Sequence, residues 1–188
     1  LNLQESSIKN NHPIQIYPVT KAQEEKVELM HTANEEAFNF DKLISQVIIN
    51  YTDYVQNVLI ANSEGLFTED ERVRTRTSIY AIATRKNEKQ TGHFSPGAHK
   101  GFEFYDQIDL TEYAREAART AVTMIKADFC PGGKMPVVIN NRFGGVIFHE
   151  ACGHGLEATS VAKKTSVFTD KLGEKVASDL VTAIDDGT

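Results

Sequence analysis

The sequence predicts an α+β protein. Two segments carry apolar residues at helical spacing, and the stretch between them is rich in β-branched and aromatic residues interrupted by short polar turns. Helices that lie outside a run of antiparallel strands are typical of the α+β class. We therefore expect a helix, an antiparallel β-meander and a second helix that packs on it, followed by the start of a second α+β domain.

The composition limits the classes of protein to consider. Of the 188 residues, 40% are hydrophobic and 24% are charged, as in most globular proteins, and no apolar run approaches the roughly 18 residues that span a membrane. The net charge of −6 has the wrong sign for binding phosphates, so neither a nucleic acid nor a membrane is an expected partner. Two cysteines cannot form a disulfide framework and no cleavable signal is evident, which favours a cytoplasmic location.

The first helix is predicted from about Thr20 to Phe38. Thr20 and Gln23 match a Thr-x-x-Gln capping box at its start. Apolar residues then recur at three- and four-residue steps and define one face, namely Val27, Met30, Ala33 and Ala37.

Four antiparallel strands are predicted next, over residues 44–51, 54–61, 72–84 and 88–94. Turn residues separate them at 52–53, 62–65 and 86–87. Arg72, Arg74 and Arg76 alternate along one strand and so share a sheet face; a solvated face explains them more simply than a site that steers peptide carboxylates. Residues 91–101, with His93 and His99, resist a periodic assignment and are interpreted as a surface loop or a lid over substrate.

The second helix is predicted to begin at Asp109 and Glu112, a cap and its partner three residues on. Its apolar stripe comprises Leu110, Tyr113, Ala114, Ala117, Ala118, Ala121, Met124 and Ile125. Glycine and proline at 131–133 end this pattern, so we place the domains at 1–128 and 129–188. Short strands are expected at 136–140 and 180–184.

A cluster of titratable residues follows the glycine pair at 144–145. His149, Glu150 and His154 form the string His-Glu-x-x-x-His between apolar neighbours. Imidazole is the commonest protein ligand for metals, and burying several titratable groups is costly unless they pair or bind an ion. The string by itself also fits histidines that simply pack in a core or lie on a surface.

The spacing of the two histidines predicts an unusual helix. His149 and His154 are five residues apart, about 140° around a regular α-helix and too far to share one ion easily. A π-bulge, which has an i to i+5 hydrogen bond, would bring them onto one face. Gly153 and Gly155 would lower the cost of the distortion. We therefore expect a wide or kinked helix near Cys152 and Gly153.

With a divalent metal bound, the chemistry of each residue type indicates its role. His149 and His154 would be ligands, and Glu150 would accept a proton from water whose pKa the metal lowers. This is the outline of peptide or amide hydrolysis. A catalytic site also needs a third protein ligand, for which the sequence offers four candidates, Cys152, Glu157, Asp185 and Asp186.

At this motif the sequence resembles the TldD/PmbA metallopeptidase family, also called modulators of DNA gyrase. The resemblance depends on the run His-Glu-Ala-Cys-Gly-His-Gly-Leu-Glu and on blocks that follow in the family's order, at 165–168, 173–174, 176–178 and 185–188. Residues 92–104 also match the sequence pattern of this family. The resemblance therefore covers at least residues 92–188.

The resemblance implies a cytoplasmic, metal-dependent peptidase that degrades unfolded or extended peptides. It implies a homodimer, or a heterodimer with a paralogous PmbA-type subunit that lacks the metal motif. Because His149, Glu150 and His154 are intact, the chain resembles the TldD-type catalytic subunit, with two histidine ligands for zinc and Glu150 as the catalytic base. The resemblance implies that the third ligand is a cysteine near the family's C-terminus, outside this chain. Other members carry different small residues at the position of Cys152, so we do not assign that role to it.

Two further expectations complete the prediction. The chain opens without methionine and stops at an Asp-Gly pair after an apolar segment, which is typical of an unfinished hairpin; we interpret it as a fragment with two of three ligands, inactive by itself. The alternative to an enzyme is a peptide-binding or dimerisation module in which the sheet offers an edge to an extended peptide.

Overall fold

The structure of the protein, a computed structural model, describes residues 2–7, 11–140 and 144–185. The chain divides into two compact units, Leu1–Cys130 and Pro131–Thr188. The α+β class is confirmed, because helices accompany a sheet of five strands. No helix among the described residues is long and apolar enough to cross a membrane.

The sheet of the first unit is built around its longest strand, β3. The strands are β1 (Gln4–Glu5), β2 (Ile44–Ala61), β3 (Leu66–Arg85), β4 (Glu88–Phe94) and β5 (Gly97–Ala98). β2 and β4 flank β3 as antiparallel neighbours, as the predicted meander requires. β5 also pairs antiparallel with β3, whereas β1 pairs parallel with it, so the sheet is mixed rather than wholly antiparallel.

The predicted turn at Thr52 and Asp53 is wrong. β2 runs unbroken through both residues, with Thr52 opposite Arg76 and Asp53 opposite Thr75. The carboxylate of Asp53 lies 2.7 Å from Nζ of Lys26, which comes from the first helix. Local sequence rules assign an aspartate at this position to a turn. Here Lys26, which is distant in sequence, compensates the negative charge of Asp53, so the strand continues.

The other two predicted turns are confirmed. Asn62 Oδ1 accepts hydrogen bonds from the backbone N–H groups of Glu64 and Leu66, both at 3.0 Å. Gly65 closes this turn at φ +97°, a conformation that side chains disfavour. Lys86, in the tight turn between β3 and β4, also has a positive φ, +55°.

The first helix, α1, spans Gln23–Phe38 and starts later than its predicted cap. Thr20 does not cap it: this residue ends a short 3₁₀ turn and donates its hydroxyl to the carbonyl oxygen of Tyr17 at 2.7 Å. Glu25 instead accepts from the backbone N–H of Ala22 at 3.4 Å. The N-cap therefore lies two residues later than predicted, at Ala22, with the Glu25 side chain as its capping acceptor, because the preceding 3₁₀ turn includes Thr20.

The second helix, α2, spans Leu110–Lys126 and matches its prediction closely. Asp109 Oδ1 accepts from the N–H groups of Thr111 at 2.9 Å and Glu112 at 3.4 Å. The predicted stripe is mostly buried, although Met124 is exposed. Both helices pack on the sheet, and the core they form with it is rich in alanine: Ala33, Ala37, Ala81, Ala83, Ala114, Ala117, Ala118 and Ala121.

A buried carboxylate organises the connection between the sheet and α2. Glu103, in a 3₁₀ segment at Phe102–Asp106, is 3% exposed and accepts from the N–H groups of Ile16 at 2.9 Å and Gly101 at 3.0 Å. Burial by itself would raise the pKa of Glu103, but these backbone donors outweigh it and lower the pKa below its usual range. The ionised Glu103 therefore joins the segment at Ile16 to the segment at Gly101, although the two are far apart in sequence.

The second unit holds short helices. These are α3 (Gly145–Phe148), a π-helical segment (His149–Gly153), α4 (His154–Leu156) and α5 (Ala158–Ala162). The strands expected at 136–140 and 180–184 are not formed in the described part of this unit. Val138 and Leu180 are almost fully exposed, and an apolar segment without a neighbour to pair with does not form a strand.

Candidate metal centre

The backbone at the His-Glu-x-x-x-His motif confirms the expected wide helix. α3 enters the π-helical segment, and the N–H of His154 donates to the carbonyl oxygen of His149, which is the i to i+5 bond of a π-turn. Gly153 has φ −56° and ψ −52°, ordinary helical values. The bulge therefore does not need glycine's conformational freedom at this position, contrary to the sequence-based explanation.

The π-turn brings the two imidazoles together. The ring centroids of His149 and His154 are 4.4 Å apart, with 66° between their planes. Ligand atoms of His149, Glu150 and His154 all lie within 4.8 Å of one another. Two nitrogens that bind one zinc ion at about 2.1 Å are at most about 4.2 Å apart, so small side-chain rotations suffice for a shared ion.

Two carboxylates flank His154 on opposite sides of its ring. Glu150 Oε2 lies 3.6 Å from Nε2, and Glu157 Oε1 lies 2.7 Å from Nδ1. The hydrogen bond to Glu157 raises the pKa of His154 above its usual value, and the negative charges of Glu157 and Glu150 add to the effect. All three side chains are at least half exposed, so they are open to solvent.

A loop braces the end of the helix that carries the motif. Ser166 Oγ donates to the carbonyl oxygen of Gly155 at 2.5 Å and accepts from the N–H of Phe168 at 3.1 Å. A Cβ on Gly155 would approach the Phe168 ring to 3.1 Å. Gly155 therefore provides space for this loop, and Ser166 is a structural residue, a role that its sequence context did not reveal.

Four residues were candidates for the third metal ligand, namely Cys152, Glu157, Asp185 and Asp186. Glu157 is hydrogen-bonded to the far side of His154. Neither Cys152 nor Asp185 belongs to a group of metal-ligating side chains within the described residues. Asp186 lies outside the described residues.

The arginine row of β3 lies on the exposed sheet face, as its alternation predicts. Arg72 pairs with Asp70 at 2.8 Å, and the Arg74 guanidinium lies 5.9 Å from the centre of the Tyr54 ring. Arg74, Arg76 and His99 line an open cleft of about 580 Å³. Burial, and then the charge of Arg74, lowers the pKa of His99.

Parts of the segment 91–101 form regular strands. Gly92 and His93 belong to β4, where the His93 ring stacks on Tyr80 with centroids 4.3 Å apart. Gly97 and Ala98 form β5. The predicted strand at 88–94 is therefore confirmed, whereas the pairing of Gly97 and Ala98 with β3 was not predicted, because glycine is depleted in strands.

Family models match both units. The model of the PmbA/TldA metallopeptidase central domain matches residues 16–125, and that of the C-terminal domain of the same family matches residues 132–188. A TldD homologue from Haemophilus influenzae, named a metalloprotease, is 35% identical over 170 residues, which cover 88% of this chain and 35% of the relative. A metalloprotease from Methanothermobacter thermautotrophicus is 36% identical, covering 87% of the chain and 36% of the relative.

Solved structures show the same fold. A protein from Thermotoga maritima, described as a modulator of DNA gyrase, superposes with a TM-score of 0.70 at 25% identity and covers 89% of this chain. A protein of the same description from Bacteroides thetaiotaomicron has a TM-score of 0.74 at 17% identity, covering 88% of the chain. The chain matches 39% and 38% of these two proteins.

The chain corresponds to only part of the length of each relative. It spans 35% to 38% of three of the curated relatives it matches. The central-domain model alone covers more than half of the 188 residues. On this basis the chain belongs to the PmbA/TldD metallopeptidase family.

Proposed function

We propose that the protein is the TldD-type catalytic subunit of a peptidase that hydrolyses unfolded or extended peptides. The single observation that supports this most is the π-turn, which places two imidazoles and a carboxylate within 4.8 Å of one another. In a regular α-helix, histidines five residues apart would point in different directions, and the π-turn removes this obstacle to a shared ion.

The residues fit a divalent metal, and zinc is the ion we propose. Two imidazoles with room for further ligands suit a catalytic zinc site, and His149 and His154 would hold the ion. When bound, a divalent metal polarises a peptide carbonyl and lowers the pKa of water. We place the third protein ligand outside this chain, as the family resemblance implies.

Glu150 is the proposed catalytic base. Its carboxylate is exposed and adjoins both the first histidine in sequence and His154 in space, at 3.6 Å from Nε2. From there it can accept a proton from attacking water and deliver it to the leaving amine. His149 and His154 would bind the metal, while Glu150 would transfer the proton of the attacking water to the leaving amine.

Several properties of the whole protein belong to the same proposal. We propose that residues 1–128 form a central domain and that residues 129–188 form the N-terminal part of the peptidase domain. The working assembly is a homodimer or a heterodimer with a PmbA-type paralogue, located in the cytoplasm. With a net charge of −6, the chain is not expected to bind DNA.

The decisive experiment compares variants of the complete gene product. Glu150→Gln should retain stoichiometric zinc but lose cleavage of an unstructured peptide by at least about 100-fold, the usual contribution of a general base. His149→Ala should lose the metal as well. Glu64→Gln, an exposed glutamate in the β2–β3 turn, is the matched control. Protein without stoichiometric metal, or full cleavage by Glu150→Gln, would overturn the proposal.

A second candidate function is a peptide-binding module that works through the edge of the sheet. Within the described residues, β2 pairs with β3 alone, so its other side is open along 18 residues. Such an edge can add an extended peptide as a further strand. This alternative predicts that peptide binding survives Glu150→Gln and metal removal but is lost when Val55→Pro interrupts the edge.

A further inference from the structure

Glu157 is in contact with one of the two histidines through a short hydrogen bond. Its Oε1 lies 2.7 Å from His154 Nδ1, three residues back along the chain. Glu157 leaves the helix at φ −58° and ψ 134°, between α4 and α5. The carboxylate that reaches His154 therefore comes from the residue at which the backbone turns.

The chemistry of this contact determines which ring nitrogen is available. A neutral imidazole has one N–H group and one lone pair, and an ionised carboxylate can only accept. Glu157 therefore selects the tautomer with hydrogen on Nδ1. The lone pair is then on Nε2, on the side of the ring where Glu150 lies at 3.6 Å.

Glu157 is separate from the group that could surround an ion. Among the described residues, the side chains that could jointly hold a metal are His149, Glu150 and His154. Glu157 binds the opposite edge of the His154 ring. This arrangement differs from a third-ligand role, in which Glu157 would have to approach on the Nε2 side.

We propose that Glu157 is a positioning residue: its hydrogen bond to Nδ1 fixes the tautomer and ring orientation in which His154 presents Nε2 to the metal. This rests on the proposed function for the metal itself. Outer partners of this kind typically change metal affinity by about 10- to 100-fold when removed. Because His154 and Glu157 are both about half exposed, we expect the lower end of that range.

The first measurement needs no metal. Long-range ¹H–¹⁵N spectra of the metal-free chain at alkaline pH report which nitrogen of His154 carries the proton. The wild-type chain should show hydrogen on Nδ1, and Glu157→Ala should shift the population towards hydrogen on Nε2. Glu157→Gln keeps an acceptor oxygen and should restore the wild-type tautomer. Glu174→Ala, which removes an exposed i,i+3 partner of Lys171, is the control.

The second measurement is zinc affinity of the complete gene product, by competition with a chromophoric chelator. Glu157→Ala should bind Zn²⁺ about 10-fold more weakly, whereas Glu157→Gln and Glu174→Ala should stay close to wild type. An unchanged tautomer or an unchanged affinity in Glu157→Ala overturns the positioning role. So does loss of zinc in Glu157→Gln as complete as in His149→Ala, which would make Glu157 a ligand. If the wild type binds no zinc, the proposed function fails, and the tautomer result still decides whether Glu157 orients the ring.

Discussion

Gly92 and Ala117 bring β4 and α2 into direct backbone contact. A Cβ on Gly92 would lie 1.9 Å from the Ala117 carbonyl oxygen and 2.6 Å from the Ala121 nitrogen. Real side chains do not approach so closely, so α2 can dock at this depth only above a glycine. Gly92, which lies inside the predicted strand at 88–94, is thus one of the tightest packing points of the first unit.

Gly92→Ala should therefore destabilise the first unit strongly. The added methyl group would meet helix backbone, which cannot move without displacing α2, and overpacking of this kind costs about 1–3 kcal/mol. Chemical denaturation of the chain would measure the change. Gly132→Ala is the control, because no atom lies within 4 Å of its added Cβ. Equal stability of the two variants would contradict the packing role of Gly92.

Glu103 should make the first unit sensitive to acid. Because the folded-state pKa is lowered, the ionised carboxylate contributes stability above its unfolded pKa, near 4.3, and the contribution is lost as the pH falls through the folded pKa. Glu103→Gln should cost about 1.5–3 kcal/mol at pH 7, the usual value of hydrogen bonds to a charged group. Urea unfolding from pH 7 to pH 3 should show a smaller pH dependence in the variant than in the wild type. Glu64→Gln should reproduce the wild-type curve.

Lys26 and Asp53 should be coupled more strongly than a surface pair. Their side chains are only 18% and 22% exposed and their charged atoms are 2.7 Å apart, and Lys26 also lies over the Tyr51 ring. A double-mutant cycle with Lys26→Met and Asp53→Asn should give a coupling energy of about 1–3 kcal/mol. The more exposed pair Lys21 and Glu25 should give less than about 0.5 kcal/mol. Similar values for both pairs would show that Asp53 gains nothing from its burial.

His154 should titrate at a higher pH in the folded chain than in the unfolded chain. The hydrogen bond to Glu157 is the largest cause of its raised pKa. A raised histidine pKa stabilises the fold below the unfolded value, near 6.5, and this effect disappears as the pH rises through the folded pKa. NMR titration of the metal-free chain, with and without denaturant, measures both midpoints. A folded midpoint at or below the unfolded one would contradict the contact with Glu157.

The sequence by itself determined the features that depend on neighbours within one helical turn or one strand. Asp109 caps α2 because its carboxylate reaches N–H groups two and three residues ahead. The interval between His149 and His154 likewise predicted a π-turn, since an i to i+5 hydrogen bond brings residues five apart onto one face. Local spacing is sufficient in such cases because both partners are close along the chain.

The tertiary structure decided the features that depend on distant groups. Asp53 lies in a strand rather than a turn because Lys26 compensates its charge. The strand at Gly92 was predicted, but the direct docking of α2 on its backbone is visible only in the tertiary structure. The contact of Glu157 with His154 is short in sequence, but it depends on the chain turning out of the helix at Glu157. Charge compensation and close packing act through space, so the residues alone could not reveal which partners would meet.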